Sequence, residues 1–295
     1  MNAELLRATT EDKLILSGLL QKPSVASDKV VIHVHGMSGN FYENLFLDAM
    51  AKAFTENGWA FLTLNTRGHD YIADFPIAGP EEKHLRIGNF REIFEDSAKD
   101  IKAWVDVAEA KGFKKIVLQG HSLGAVKVAY YMAQTQDKRI SKLVLASPPD
   151  MVGLFENDGE EHKQRLELAK QMVKEGKGGD MMPGKVWGWY HLSPQTYLNF
   201  TQRGAEIDVF NTYDKQKPSK TLEAITIPTL AFCGSEDDAN IMPAADAMET
   251  IKQKATKTPR FDTAVVAGAP HSYFGHEKEV AELILAWIDP KTIGA

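Results

Sequence analysis

The chain is almost without cysteine. Of its 295 residues only Cys233 carries a thiol, so no intrachain disulfide can form and a disulfide-stapled secreted scaffold is excluded. Long apolar runs are missing too. Nothing reaches the ~18–20 consecutive apolar residues that a membrane-spanning helix needs. The first twenty residues are interrupted by Glu4, Arg7, Glu11, Asp12 and Lys13, which leaves no secretory leader to read. The expected setting is cytoplasmic, with no membrane span. Positive charge is not in excess: 34 Lys and Arg stand against 40 Asp and Glu, a net charge of −6. That balance argues against a nucleic-acid partner. Phosphate-cradling loops are absent as well, because Gly176-Lys177-Gly178-Gly179 has neither a preceding strand nor a Lys-Ser/Thr pair. No cofactor is expected. There is no internal repeat and no low-complexity tract, and nothing bears on oligomeric state.

What is present is ordinary globular composition, 43% hydrophobic and 25% charged, which excludes bulk disorder. Short aliphatic runs alternate with longer amphipathic ones. Lys29–His35, Trp59–Leu64, Lys115–Gln119, Lys142–Ala146, Thr229–Cys233 and Thr263–Val266 read as strands buried on both faces. Lys13–Leu19 reads as an edge strand before them. Glu43–Glu56, Phe94–Ala108, Val126–Ala133 and Glu279–Ile288 carry apolar residues at helical spacing. The alternation predicts an α/β fold: right-handed crossovers and one mostly parallel sheet flanked by helices.

The rhythm breaks between Pro148 and Ser219, far longer than an ordinary αβ loop. This stretch holds a charged helical run, Glu160–Glu175, and an aromatic segment from Trp187 to Phe210. We expect 1–147 and 220–295 to form the core and 148–219 to form a helical cap over the strand ends, where α/β folds place their ligands. Trp187, Trp189, Tyr190, Tyr197 and Phe200, with Met181 and Met182, are expected to supply an apolar substrate wall.

Chemistry concentrates at Gly120-His121-Ser122-Leu123-Gly124, between a strand and a helix. That context is what a Gly-x-Ser-x-Gly nucleophile elbow requires. A serine hydroxyl needs a neighbouring base, and the base must be held in one tautomer by a carboxylate. The chain order should be serine, acid, histidine. Thr229–Cys233 runs into Gly234-Ser235-Glu236-Asp237-Asp238, and Thr263–Val266 runs into Ala267-Gly268-Ala269-Pro270-His271. All three acids are candidates. Asp237, three residues after the strand-ending glycine, is preferred, with Asp238 as the alternative. His271, directly after Ala-Pro, is preferred over His276. Two backbone N–H groups should bind the oxyanion: Leu123, following the nucleophile, and Met37, in the Gly36-Met37-Ser38-Gly39 loop after an early strand. His33-x-His35 could place two imidazoles on one strand face, but no acidic or cysteine cluster accompanies them, so no metal is expected.

Elbow, His35-Gly36 loop, Gly-x-x-Asp turn and late histidine resemble the α/β-hydrolase superfamily, in particular its capped esterase and lipase-like members. Asn65-Thr66-Arg67-Gly68-His69-Asp70 is similar to the Arg-Gly loop common there. There is no His-Gly-Gly-Gly run, which argues against the hormone-sensitive-lipase-like branch. The resemblance implies Ser122 as nucleophile, Asp237 as acid, His271 as base and the Met37 and Leu123 amides as the oxyanion hole. It implies hydrolysis of a small-molecule ester through an acyl-enzyme, with activity falling as the pH drops below about 6–7, where a histidine base becomes charged. Thioesterase, amidase, carbon–carbon bond hydrolase and acyltransferase chemistry use the same residues and stay open, as does a catalytically silent binding protein. Dehalogenases and epoxide hydrolases are disfavoured because they place a carboxylate where this chain has Ser122.

Overall fold

A computed structural model describes residues 2–290. The chain opens with an antiparallel pair, β1 (Asn2–Thr9) and β2 (Ile15–Lys22). It continues through β3 (Lys29–Val34), α1 (Phe46–Glu56), β4 (Ala60–Leu64), a small hairpin of β5 (Asp74–Pro76) and β6 (His84–Arg86), and α2 (Ser97–Ala110). Then come β7 (Lys115–His121), α3 (Leu123–Thr135) and β8 (Ile140–Ala146). The helices α4 (Met151–Asn157), α5 (Glu160–Lys174), α6 (Pro194–Thr201) and α7 (Lys220–Ala224) intervene before β9 (Thr229–Glu236), α8 (Ala244–Lys254), β10 (Phe261–Pro270) and α9 (Glu277–Ile288).

Eight strands form one sheet in the order β1-β2-β4-β3-β7-β8-β9-β10. β2 pairs antiparallel with β4, and every pairing from β4 to β10 is parallel. The two-residue side-chain alternation of a strand explains how helices cover both faces. On β3, Val30, Ile32 and Val34 face the layer of α2 and α3, whereas Val31 points to the opposite layer formed by α1 and α9. Parallel strands buried this way need apolar residues on both sides, which is why the central strands read as unbroken aliphatic runs. No described helix is long and apolar enough to cross a membrane.

The segment between β8 and α7 carries α4, α5 and α6. Each short helix has a local start signal. Asp150 accepts the Gly153 N–H at the start of α4, and Ser193 accepts the Thr196 N–H ahead of Pro194 in α6. Two residues expected in the substrate wall lie elsewhere. Tyr197 and Phe200 are fully buried, and Tyr197 packs edge-on against Phe155. They are the packing core of these helices, because the helical period turns them inward from α6. Met182 is buried and Met181 is exposed on the surface.

Candidate active site

Ser122 lies between β7 and α3 with φ 57° and ψ −128°, a left-handed backbone that costs a non-glycine residue about 1–3 kcal/mol. The sequence pays for this turn with its flanking glycines. A Cβ on Gly120 would come 2.1 Å from the Gly124 carbonyl oxygen, and one on Gly124 would come 2.2 Å from the Val34 carbonyl oxygen. The loop after β3 passes directly over the elbow, since a Cβ on Gly36 would sit 2.9 Å from Ser122 Cβ. Its next residue, Met37, lines the same cavity as Ser122. Neither the Met37 nor the Leu123 N–H donates to another described residue.

His271 follows β10 directly, and Asp237 follows β9. His271 Nδ1–H donates to Asp237 Oδ1 at 2.7 Å. Asp237 has a side chain 1% exposed, whereas His271 keeps 25% of its side chain open. Asp238 is exposed and makes no bond to His271. His276 instead pairs with Glu279 at 3.0 Å on the first turn of α9. Ser122 and His271 open onto one cavity of about 440 Å³ without a direct hydrogen bond, a looser geometry common before substrate binds. Met37, Met151, Leu154, Trp187, Trp189 and Tyr190 supply its apolar wall. Trp187 stacks against Phe155 and meets Tyr190 edge-on, so α4 and the 186–190 turn hold each other in place.

The alpha/beta hydrolase fold family model matches residues 29–277. This chain belongs to the α/β-hydrolase superfamily. Non-heme chloroperoxidase from Burkholderia pyrrocinia is 24% identical over 262 residues, covering 83% of this chain and 86% of that protein. A bifunctional esterase/perhydrolase from Acinetobacter calcoaceticus is 26% identical over 205 residues, covering 64% and 68%. Among solved structures, Est1E from Butyrivibrio proteoclasticus with bound ferulic acid superposes with a TM-score of 0.67 at 19% identity, covering 98% of this chain and 100% of that one.

Within this α/β-hydrolase, the support beneath His271 and Asp237 involves residues that sequence reasoning missed. Asp237 accepts from the Ala239 N–H at 3.0 Å, and the Ser147 hydroxyl helps to hold it ionised. Ser147 Oγ in turn accepts from Tyr273 O–H at 2.7 Å. With a carboxylate that can only accept beside it, the Ser147 proton is drawn toward Asp237, so Tyr273 is the donor to Ser147. Burial pushes the Tyr273 hydroxyl well above its ordinary pKa, which keeps it a donor. Burial alone would raise Asp237, but the hydrogen bond and charge of His271, with Ser147 and Ala239, hold it below the ordinary carboxylate value. Ser147 and Tyr273 both have left-handed backbones, φ 46° and 56°. Their signal lies in three-dimensional contact between the ends of β8 and β10, which no sequence pattern carries.

Replacing Tyr273 with phenylalanine should lower kcat by about 2–10-fold, the worth of one net hydrogen bond, with little change in KM. Ser147→Ala should do at least as much. Because the two hydroxyls act in series, the double variant should be no worse than Ser147→Ala alone. Additive losses in a double-mutant cycle would contradict the chain of donors.

Three buried imidazoles frame the site. His121 Nε2–H donates to the His271 carbonyl at 2.9 Å, fixing the loop that carries the candidate base. His35 Nδ1–H donates to the Gly36 carbonyl at 2.7 Å, and its Nε2 accepts from the Thr66 N–H at 3.0 Å, pinning the Met37 loop. His33 Nδ1 accepts from Gln119 at 3.1 Å. Both His35 nitrogens and His33 Nδ1 are thus taken by separate partners, while His33 Nε2 is buried without a described hydrogen-bond partner. The donor atoms of Asp237, Asp238 and His271 lie within 4.8 Å of one another, but Asp237 and His271 already bond each other.

Burial pushes His33 and His121 down to about 3 and His35 well below its ordinary value. All three are neutral when folded, whereas an unfolded histidine titrates near 6.5. Between about pH 3 and 6.5 the unfolded chain binds protons that the folded one refuses. Stability is thus complete above 6.5 and falls as the pH drops through that window, by up to ~1.4 kcal/mol per pH unit per histidine. Urea midpoints measured at pH 7 and pH 5 should differ clearly. Equal midpoints would contradict this reading.

Proposed function

We propose that this α/β-hydrolase cleaves carboxylic esters of small molecules through an acyl-enzyme on Ser122. The observation that carries the reading is the convergence on one cavity of a strained serine and a histidine whose far nitrogen is 2.7 Å from a buried carboxylate. His271 Nε2 takes the Ser122 proton as Oγ attacks the ester carbonyl. The resulting oxyanion sits against the Met37 and Leu123 N–H groups. Collapse breaks the bond to the alcohol oxygen, and His271 returns the proton to that oxygen. Water, deprotonated by His271, then attacks the acyl carbon. The acid leaves and the proton returns to Ser122. Asp237 stays ionised and steadies the imidazolium.

Each oxyanion donor in such a site contributes on the order of 10²–10³ in rate. We assign Trp187, Trp189 and Tyr190 to substrate contact, and residues 148–219 to a lid whose α4 and 186–190 turn wall the cavity. The names of the relatives, which include an esterase/perhydrolase and a ferulic-acid complex, support ester chemistry with room for an aromatic acyl group.

The test is a panel of p-nitrophenyl esters of increasing acyl length, with aryl esters and lactones beside it. Turnover of at least one class is expected. Absence of turnover across the whole panel would overturn the assignment.

A further inference from the structure

The cavity above Ser122 has an apolar wall and one unpaired negative charge. Asp238 lines it beside Trp187, Trp189 and Tyr190. Asp238 makes no hydrogen bond or ion pair with any described residue. No lysine or arginine lines the cavity. The other carboxylate at the base, Asp237, is buried beneath His271, whose Nδ1–H it accepts, and does not line the cavity. The Tyr190 hydroxyl on this wall is held above its ordinary pKa first by burial, then by Tyr71, with Glu43 and Asp238 adding smaller effects against a lowering hydrogen bond from Ser38. Asp238 thus biases the aromatic wall toward positive charge, on a chain already carrying net charge −6.

Aromatic faces combined with a carboxylate have a defined chemical preference. The negative faces of Trp and Tyr attract cations, most strongly when the cation is poorly hydrated, as alkylammonium groups are. A substrate carboxylate placed here would meet repulsion from Asp238 and no counter-charge. Resting on the ester-hydrolase reading above, we propose that the preferred substrates carry an ammonium group, seated against Trp187, Trp189 and Tyr190 beside Asp238, and that anionic esters are rejected. Asp238 is then a specificity-determining residue and takes no part in proton transfer.

The test measures binding, so it does not depend on turnover. Choline and its uncharged isostere 3,3-dimethylbutan-1-ol are titrated into the full chain by calorimetry. Choline should bind at least about tenfold more tightly at low salt, a preference in the range of a partly exposed cation–π contact plus one nearby charge. The preference should shrink as salt screens Asp238, fall to near parity in Asp238→Asn, and return in Asp238→Glu. No detectable choline binding, equal binding of the two probes, or a preference that survives in Asp238→Asn would overturn the proposal. Failure of the ester-hydrolase reading would show separately, as an absence of any covalent fluorophosphonate adduct on Ser122.

Discussion

Asp237→Asn is expected to lower kcat by about 10⁴-fold on any ester the protein turns over, the scale of loss when a histidine base is held in the wrong tautomer. The carboxylate accepts Nδ1–H of His271 at 2.7 Å, and this leaves Nε2 without a proton and able to act as base. An asparagine amide can offer N–H groups at that position. It would then reverse the bond and move the histidine proton to the nitrogen facing Ser122. The Ala239 N–H and the Ser147 hydroxyl still need an acceptor, which biases the amide oxygen toward them and the NH₂ toward His271. Steady-state kinetics with a chromogenic ester, beside a melting curve, check the result. Activity within tenfold of wild type at unchanged melting temperature would show that Asp237 does not set the tautomer.

The largest expected effect on stability comes from Lys127→Met, about 3–5 kcal/mol, the cost of stranding a buried charge. Lys127 Nζ lies 2.6 Å from Glu92 Oε1, and both side chains are 0% exposed. Glu92 is wedged against Gly68, where a Cβ would lie 2.0 Å from its carboxylate oxygen, so it cannot swing out to water without moving the Arg67-Gly68 turn. Arg67 is itself anchored by Asp100 at 2.7 Å. Lys127 Nζ also reaches Thr66 Oγ1 at 3.4 Å, and Thr66 holds His35. Its loss should therefore loosen the loop carrying Met37 as well as destabilise the core. A second substitution, Glu92→Gln, should restore part of the stability by removing the stranded charge. Denaturant titration of the single and double variants is the check. A Lys127→Met variant within 1 kcal/mol of wild type, on the scale of an exposed pair, would contradict the picture.

The comparison between sequence and structure is uneven, for identifiable reasons. Central strands such as β3 and β7 are legible because burial on both faces demands continuous aliphatic runs. β1 escapes notice because it alternates: Leu6 and Ala8 are buried while Leu5, Arg7 and Thr9 are exposed, so no unbroken aliphatic run marks it as a strand. α8 is missed because only Ala247, Met248 and Ile251 mark its buried side. β10 extends past Val266 to Pro270 through an irregular register at Gly268, whose φ is 74°; apolar content alone stops at the irregularity. At the candidate site, turn chemistry and chain order single out Ser122, Asp237 and His271. Trp187, Trp189 and Tyr190 reach the cavity, whereas Tyr197 and Phe200 do not, because aromatic content does not reveal which side of a helix faces inward. Ser147, Tyr273 and the Glu92–Lys127 pair depend on contacts between distant segments.

The central claim is that His271, oriented by Asp237, makes Ser122 a nucleophile. The most direct measurement is the rate at which a fluorophosphonate probe labels the folded protein, with the modified residue located by peptide mass spectrometry. The account predicts a single adduct on Ser122, formed rapidly in the wild type and slowed by at least about 10³-fold in His271→Ala, since an unassisted serine hydroxyl is a weak nucleophile. An adduct elsewhere, or equal labelling rates with and without the imidazole, would contradict it.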